Sequence, residues 1–192
     1  WFGILRAGGV QSPINLAYRG DFLSWVINLP ESRFLVISDD LLDRLDHVAT
    51  ELPVLEHVFV WESGERTGPD PRVAHEPFAV LDDAPDSDPG VEVSWVDDAR
   101  IMFTSGTTGR PKGVQRDVGG YAVALAASME YIFEGKPGET YFSTSDIGWV
   151  VGHSYIVYGP LIAGMATVLY EGTPLRPDAS IWWQIVEKHK VT

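Results

Sequence analysis

Ten consecutive residues, Thr104-Ser105-Gly106-Thr107-Thr108-Gly109-Arg110-Pro111-Lys112-Gly113, concentrate the groups that bind a polyphosphate. Three glycines let the backbone turn sharply and bring its N–H groups against an anion. Ser105, Thr107 and Thr108 add hydroxyl donors, and Lys112 adds a mobile positive charge. Together they can meet several phosphate oxygens at once, whereas a plain glycine-rich strand connection needs none of them. The spacing is not that of a Walker A loop. Lys112 is followed by Gly113, and G-x-x-x-x-G-K is missing, which weighs against a P-loop hydrolase.

The rest of the chain sets bounds on what such a loop serves. With 192 residues, 45% hydrophobic and 21% charged, the composition is that of an ordinary globular domain. No apolar run reaches the roughly 18 residues that cross a bilayer. Cysteine is absent, which removes disulfides, thiolate metal sites and cysteine nucleophiles together. A cytoplasmic location fits. The net charge of −13 argues against a nucleic-acid binder, since phosphate backbones need Lys and Arg. Much of the acidity lies in Asp82, Asp83, Asp86, Asp88, Glu92, Asp97 and Asp98, which read as a solvated connection.

Elements that would position the loop follow from periodicity. Helical spacing predicts helices over residues 1–6, 22–29, 41–52, 118–133, 150–162 and 179–188, with Asp21 capping the second. Short apolar runs predict strands over 34–38, 58–61, 100–104, 140–143 and 166–170, and an extended stretch over 10–14. Proline and glycine break the pattern between 62 and 95, leaving room for one strand near 78–81. Alternating strands and helices give an α/β layered fold with a substantially parallel sheet. Residues 1–61 read as an α/β segment, 62–98 as an acidic Pro/Gly-rich connection, and 99–192 as the segment with the phosphate loop. The chain opens on Trp1 and stops at Thr192, where a strand would begin, so truncation at both ends is expected.

Residues 104–113 resemble the signature loop of the adenylate-forming superfamily, which includes acyl-CoA synthetases, luciferases and peptide-synthetase adenylation domains. The resemblance implies that Thr104, Ser105, Gly106, Thr107, Thr108, Gly109, Lys112 and Gly113 hold the β- and γ-phosphates of ATP. Thr107 and Lys112 would be the catalytic members. A carboxylate attacks ATP, giving an acyl-adenylate and pyrophosphate, and CoA then displaces AMP. Like charges oppose that attack, and Mg²⁺, Lys112 and hydroxyl donors relieve the repulsion. The implied co-substrates are ATP, CoA and a small carboxylate, with Mg²⁺ but no metal ligand assigned in this chain.

The flanks narrow the resemblance. Val114-Gln115-Arg116-Asp117, Gly119-Gly120-Tyr121, the run from Ser145 to Tyr155, Tyr158-Gly159-Pro160-Leu161 and Tyr170-Glu171-Gly172 with Pro174 resemble short-chain acyl-CoA synthetases, propionate–CoA ligases in particular. By that correspondence Trp149 caps the acyl pocket, Val150 and Val151 line it, and Val151 also meets CoA. Valine rather than threonine at 151 favours propionate over acetate. Read alone, Trp149 is as consistent with core packing. His153 reads as a structural histidine, because a carboxylate is already ionised at neutral pH and needs no base. Asp146 reads as a helix cap, and Trp182 and Trp183 as packing residues.

Residues 1–15 resemble instead the broader style of medium-chain, fatty-acid and carnitine-type ligases. Leu175 stands near where acetate-type relatives place an asparagine close to CoA. A longer-chain or carnitine-type ligase is therefore the alternative within the fold, and a non-catalytic nucleotide-binding fragment the alternative outside it. The later adenine, magnesium and ribose motifs and the small C-terminal domain are expected beyond Thr192. The chain by itself is expected to complete neither half-reaction.

Overall fold

β-Branched and aromatic residues favour extended backbone, and the runs Phe34-Leu35-Val36-Ile37 and Val58-Phe59-Val60-Trp61 both become strands. The computed structural model describes residues 2–64, 72–104, 110–172 and 177–192. These divide into two units, Trp1–Val93 with Arg100–Val114, and Ser94–Ala99 with Gln115–Thr192.

In the first unit, α1 (Phe2–Arg6) and α2 (Gly20–Asn28) precede the sheet. α2 starts at Gly20, so Asp21 lies in its first turn and is not the cap; Arg19 holds that position without a side-chain bond. Residues 10–14 contribute only a bridge between Gln11 and Arg100 rather than an extended run. β1 (Phe34–Ser38) pairs in parallel with β2 (His57–Trp61), Phe34 opposite His57 and Ser38 opposite Trp61. Parallel strands require a crossover, and the one expected as a single helix over 41–52 is broken into short turns. Only α3 (Asp43–Asp46) is α-helical, between 3₁₀ turns at Asp39–Leu41 and Ala49–Glu51. The buried residues explain it. Leu42, Leu45 and Val48 recur every third position, the period of a 3₁₀ helix rather than an α-helix.

β3 (Glu76–Pro77) adds to the far side of β2, again in parallel. The strand expected near 78–81 is a 3₁₀ turn, Phe78–Asp83, and the pairing falls just before it. The acidic stretch 82–98 is exposed throughout, as a solvated connection should be. β4 (Asp98–Thr104) and β5 (Lys112–Asp117) then form a two-stranded sheet, and β5 is an element the periodicity did not signal. The core of this unit gathers Leu23, Val26 and Ile27 of α2, Leu42, Leu45, Val48 and Leu52 of the crossover, Val58 and Val60 of β2, and Phe103 of β4.

In the second unit α4 (Val118–Tyr131) is capped by Asp117, whose carboxylate accepts the Gly120 N–H. Tyr121, Leu125 and Met129, four residues apart, are its buried positions. β6 (Thr140–Tyr141) will pair with a later strand. The helix expected over 150–162 is continuous but uneven. α5 (Val150–Gly152) widens into a π turn, His153–Tyr158, before α6 (Gly159–Ile162). Pro160 cannot donate to the carbonyl four residues back, and the freed Ile156 carbonyl accepts instead from Thr167 Oγ1 at 2.6 Å. Thr167 belongs to β7 (Ala166–Thr167), which pairs in parallel with β6. α7 (Ile181–His189) closes the chain. Trp182 packs between Phe142 and Tyr170, at 5.5 Å from each ring, but Trp183 is 73% exposed and is not a packing residue.

Truncating Ile27, which exposes no surface, to alanine is expected to destabilise the protein by about 2–5 kcal/mol in denaturant unfolding. Asp117→Ala removes one cap and should cost about 1 kcal/mol. A larger effect from Asp117→Ala than from Ile27→Ala would contradict this placement of the core.

Candidate functional site

The described part of the phosphate loop is its two ends. β4 delivers Thr104, half-buried, one residue after the buried Phe103. β5 begins at Lys112, whose side chain is exposed and free to carry its charge to an anion. Ser105, Gly106, Thr107, Thr108 and Gly109 lie outside the described residues, as do Trp1, Pro174 and Leu175. Gly113 is closely surrounded. A Cβ there would stand 3.0 Å from Ile101 Cγ2, a tight approach, and 3.5 Å from Leu29 Cδ2 and 3.7 Å from Phe103 Cε1, ordinary contacts. A side chain at this position would press on Ile101.

The second unit contains a cavity of about 200 Å³. Val150 and Val151 line it, with Tyr121, Ala124, Leu125 and Ser128 of α4, and with Arg116, Ser154 and Tyr155. Its lining is largely apolar, with a few polar groups held in place. Tyr121 Oη and Ser154 Oγ share a buried hydrogen bond of 2.7 Å, and the Arg116 guanidinium stands 5.1 Å from the Tyr121 ring centroid. Burial pushes the Tyr141 phenol above its ordinary pKa, with Tyr155 adding to the rise, so it stays protonated at neutral pH. Such a cavity can admit a small acyl group by shape and offer hydroxyl and guanidinium donors to a polar end.

Trp149 is half-buried and is not among the residues that line this cavity. It stands at the start of α5, where its carbonyl accepts the His153 N–H at 3.1 Å. Asp146 is not the cap of that helix. Its Oδ1 accepts the Gly148 N–H at 2.7 Å and its carbonyl the Trp149 N–H at 3.1 Å, which builds the turn ahead of the helix instead. Gly152 allows that turn, since a Cβ there would overlap the Asp146 carbonyl. His153 is wholly buried, the position of a packing histidine. Among the described residues no group of three His, Asp or Glu side chains is placed to hold a metal ion. Lys112 and the loop's hydroxyls are donors suited to phosphate oxygens.

Sequence reasoning assigned Val150 and Val151 to the pocket but gave no pocket role to Arg116, Tyr121, Ala124, Leu125, Ser128, Ser154 or Tyr155. A signal existed for four of them. Residues 121, 124, 125 and 128 have the spacing of one helical face. Nothing in that spacing says that the face lines a cavity rather than a core. No helix among the described residues is long and apolar enough to cross a membrane.

Comparison with known proteins supplies the family. A propionate–CoA ligase of Salmonella typhimurium is 65% identical over 104 residues, 53% of this chain and 17% of that protein. An acetyl-coenzyme A synthetase of Novosphingobium aromaticivorans is 37% identical over 200 residues, 97% of this chain and 30% of that protein. Among solved structures, an acyl-CoA synthetase of Brucella canis superposes with a TM-score of 0.82 at 24% identity, over 99% of this chain and 33% of its own. An anthranilate CoA ligase in complex with anthranoyl-AMP gives 0.81 at 21% identity, over 100% and 36%. At those identities the structures show a shared α/β fold. The chain spans about a third or less of the length of these relatives. The family profile described as AMP-binding enzyme matches residues 1–192, and the chain belongs to that family.

Proposed function

We propose that the protein carrying this chain is an AMP-forming acid–CoA ligase that activates a short-chain carboxylate, propionate, for transfer to CoA. The observation that carries this reading is the placement of Val150 and Val151 on the wall of a cavity of about 200 Å³. Two branched apolar side chains favour a short alkyl group and offer nothing to a charged tail. Valine at 151 leaves no hydroxyl to hold a water beside the smaller acetate. The names of the relatives support the same class, since they include a propionate–CoA ligase and an acetyl-coenzyme A synthetase.

The chemistry follows from charge. In the first step a carboxylate oxygen bonds to the α-phosphorus of ATP, and the bond from that phosphorus to the bridging oxygen breaks, releasing pyrophosphate. Both partners are anions, so the barrier falls only where positive charge and donors meet the phosphates. Lys112 supplies the charge, and Thr104, Ser105, Thr107 and Thr108 supply O–H donors, with the backbone at Gly106, Gly109 and Gly113 free to approach. In the second step the CoA sulfur bonds to the acyl carbon, AMP leaves with the carboxyl oxygen, and the thiol proton goes to solvent. Val151 borders the acyl and CoA ends of the substrate; the capping role of Trp149 rests on the resemblance alone, since Trp149 does not line this cavity. ATP and CoA are intracellular metabolites, which supports a cytoplasmic location.

Carboxylate-dependent ATP–pyrophosphate exchange by the full-length protein is expected to peak at propionate when acetate, propionate, butyrate and octanoate are compared. A peak at octanoate would discard the short-chain reading, and no exchange with any acid would discard adenylation. Lys112→Ala should lower the exchange rate by about 10²–10³, the usual cost of losing one donor to developing charge. A loss below about threefold would remove Lys112 from that role.

A further inference from the structure

The outgoing end of the phosphate loop is held by one helix. Trp25 of α2 is half-buried and packs against the core of the first unit. Its Nε1–H donates to the carbonyl of Pro111, 3.0 Å away. The Arg110 guanidinium lies 4.9 Å from the centre of the same indole, within cation–π range. Leu29, one helical turn further on, lies within van der Waals reach of Gly113, its Cδ2 3.5 Å from where a Cβ there would stand. Residues 110, 111 and 113 are thus each set against α2, and the residue among them is Lys112. The same helix fixes the incoming end, because Val26 and Ile27 share the core with Phe103, next to Thr104.

A tryptophan that only fills space would leave its indole N–H to water or to a neighbouring core carbonyl. Here the partner is a loop carbonyl 86 residues away in sequence. Proline makes that link count, since Pro111 has no N–H with which to anchor itself.

We propose that Trp25 is a positioning residue for the phosphate loop, acting through the Pro111 carbonyl and the Arg110 guanidinium to hold Lys112 where it meets the phosphates of ATP. The inference rests on the ATP reading of the loop given above. It goes further by assigning control of ATP affinity to a side chain that touches no reacting atom.

The test uses the full-length protein with Trp25→Phe, which deletes the indole N–H and keeps an aromatic ring for Arg110. Trp183→Phe, at an exposed tryptophan on α7, is the matched control. Calorimetric ATP binding and ATP–pyrophosphate exchange are measured on both. Trp25→Phe should weaken ATP binding and raise the KM for ATP by roughly three- to tenfold, the range for one lost hydrogen bond. The KM for the carboxylate should stay unchanged. Equal changes in both KM values, or none, would overturn the proposal, because a purely structural tryptophan would not separate them. Because Trp25→Phe could unfold the protein, a second arm compares Arg110→Gln with Trp25→Leu and the double variant. Non-additive losses in ATP binding support the coupling between the two side chains, and additive losses overturn it. If the unaltered protein binds ATP without exchange, adenylation fails while the binding arm still decides the role of Trp25. If it does not bind ATP, both fall.

Discussion

The burial of α2 is the constraint on which the first unit depends. Val26 and Ile27 expose nothing to solvent and Leu23 exposes 6%, each worth roughly 1.5–3 kcal/mol relative to an exposed side chain. The partners of that face come from four places in the sequence: the crossover between β1 and β2, β2 itself, β4, and through Trp25 and Leu29 the start of β5. The helix cannot shift without disturbing all four. The ends of the phosphate loop therefore inherit the rigidity of a hydrophobic core, although Lys112 itself faces water.

A different constraint organises the second unit. Pro160 leaves the Ile156 carbonyl without its helical partner, and Thr167 of β7 takes that place. A side-chain hydroxyl on a strand thus completes a helix, and the small β6–β7 sheet and the irregular helix are fixed to each other. The π turn over His153–Tyr158 that results turns Ser154 and Tyr155 toward the cavity that Val150 and Val151 also line. π turns recur at functional sites because they re-aim side chains without breaking the helix.

Local pattern made most of the elements legible. The strands at Phe34–Ser38 and His57–Trp61 and the helix from Val118 announce themselves through β-branched runs and helical spacing. What stayed hidden depends on distant partners. The crossover reads as one helix until its every-third-residue burial is known, and β5 reads as loop because Lys112-Gly113-Val114-Gln115-Arg116-Asp117 has no apolar run. That segment becomes a strand through its pairing with β4, and Gly113 suits it because Ile101 crowds the place a side chain would take. Cavity residues from Arg116 to Tyr155 are likewise assembled across 40 residues of sequence, beyond the reach of any single window.

The proposed phosphate loop rests on the opposite kind of signal, since the chemistry assigned to it lies in one contiguous stretch. Its composition carries a penalty that the fold must offset. Each glycine in the loop raises the entropy lost on ordering by roughly 0.5–1 kcal/mol relative to alanine, and three occur within ten residues. Phe103 in the core and the Pro111 carbonyl on Trp25 anchor the two ends of the stretch. On the proposed reading the glycines provide close backbone approach to an anion, while residues outside the loop hold its ends. A tryptophan on a helix 86 residues away belongs to the phosphate site on that argument, even though no loop motif contains it.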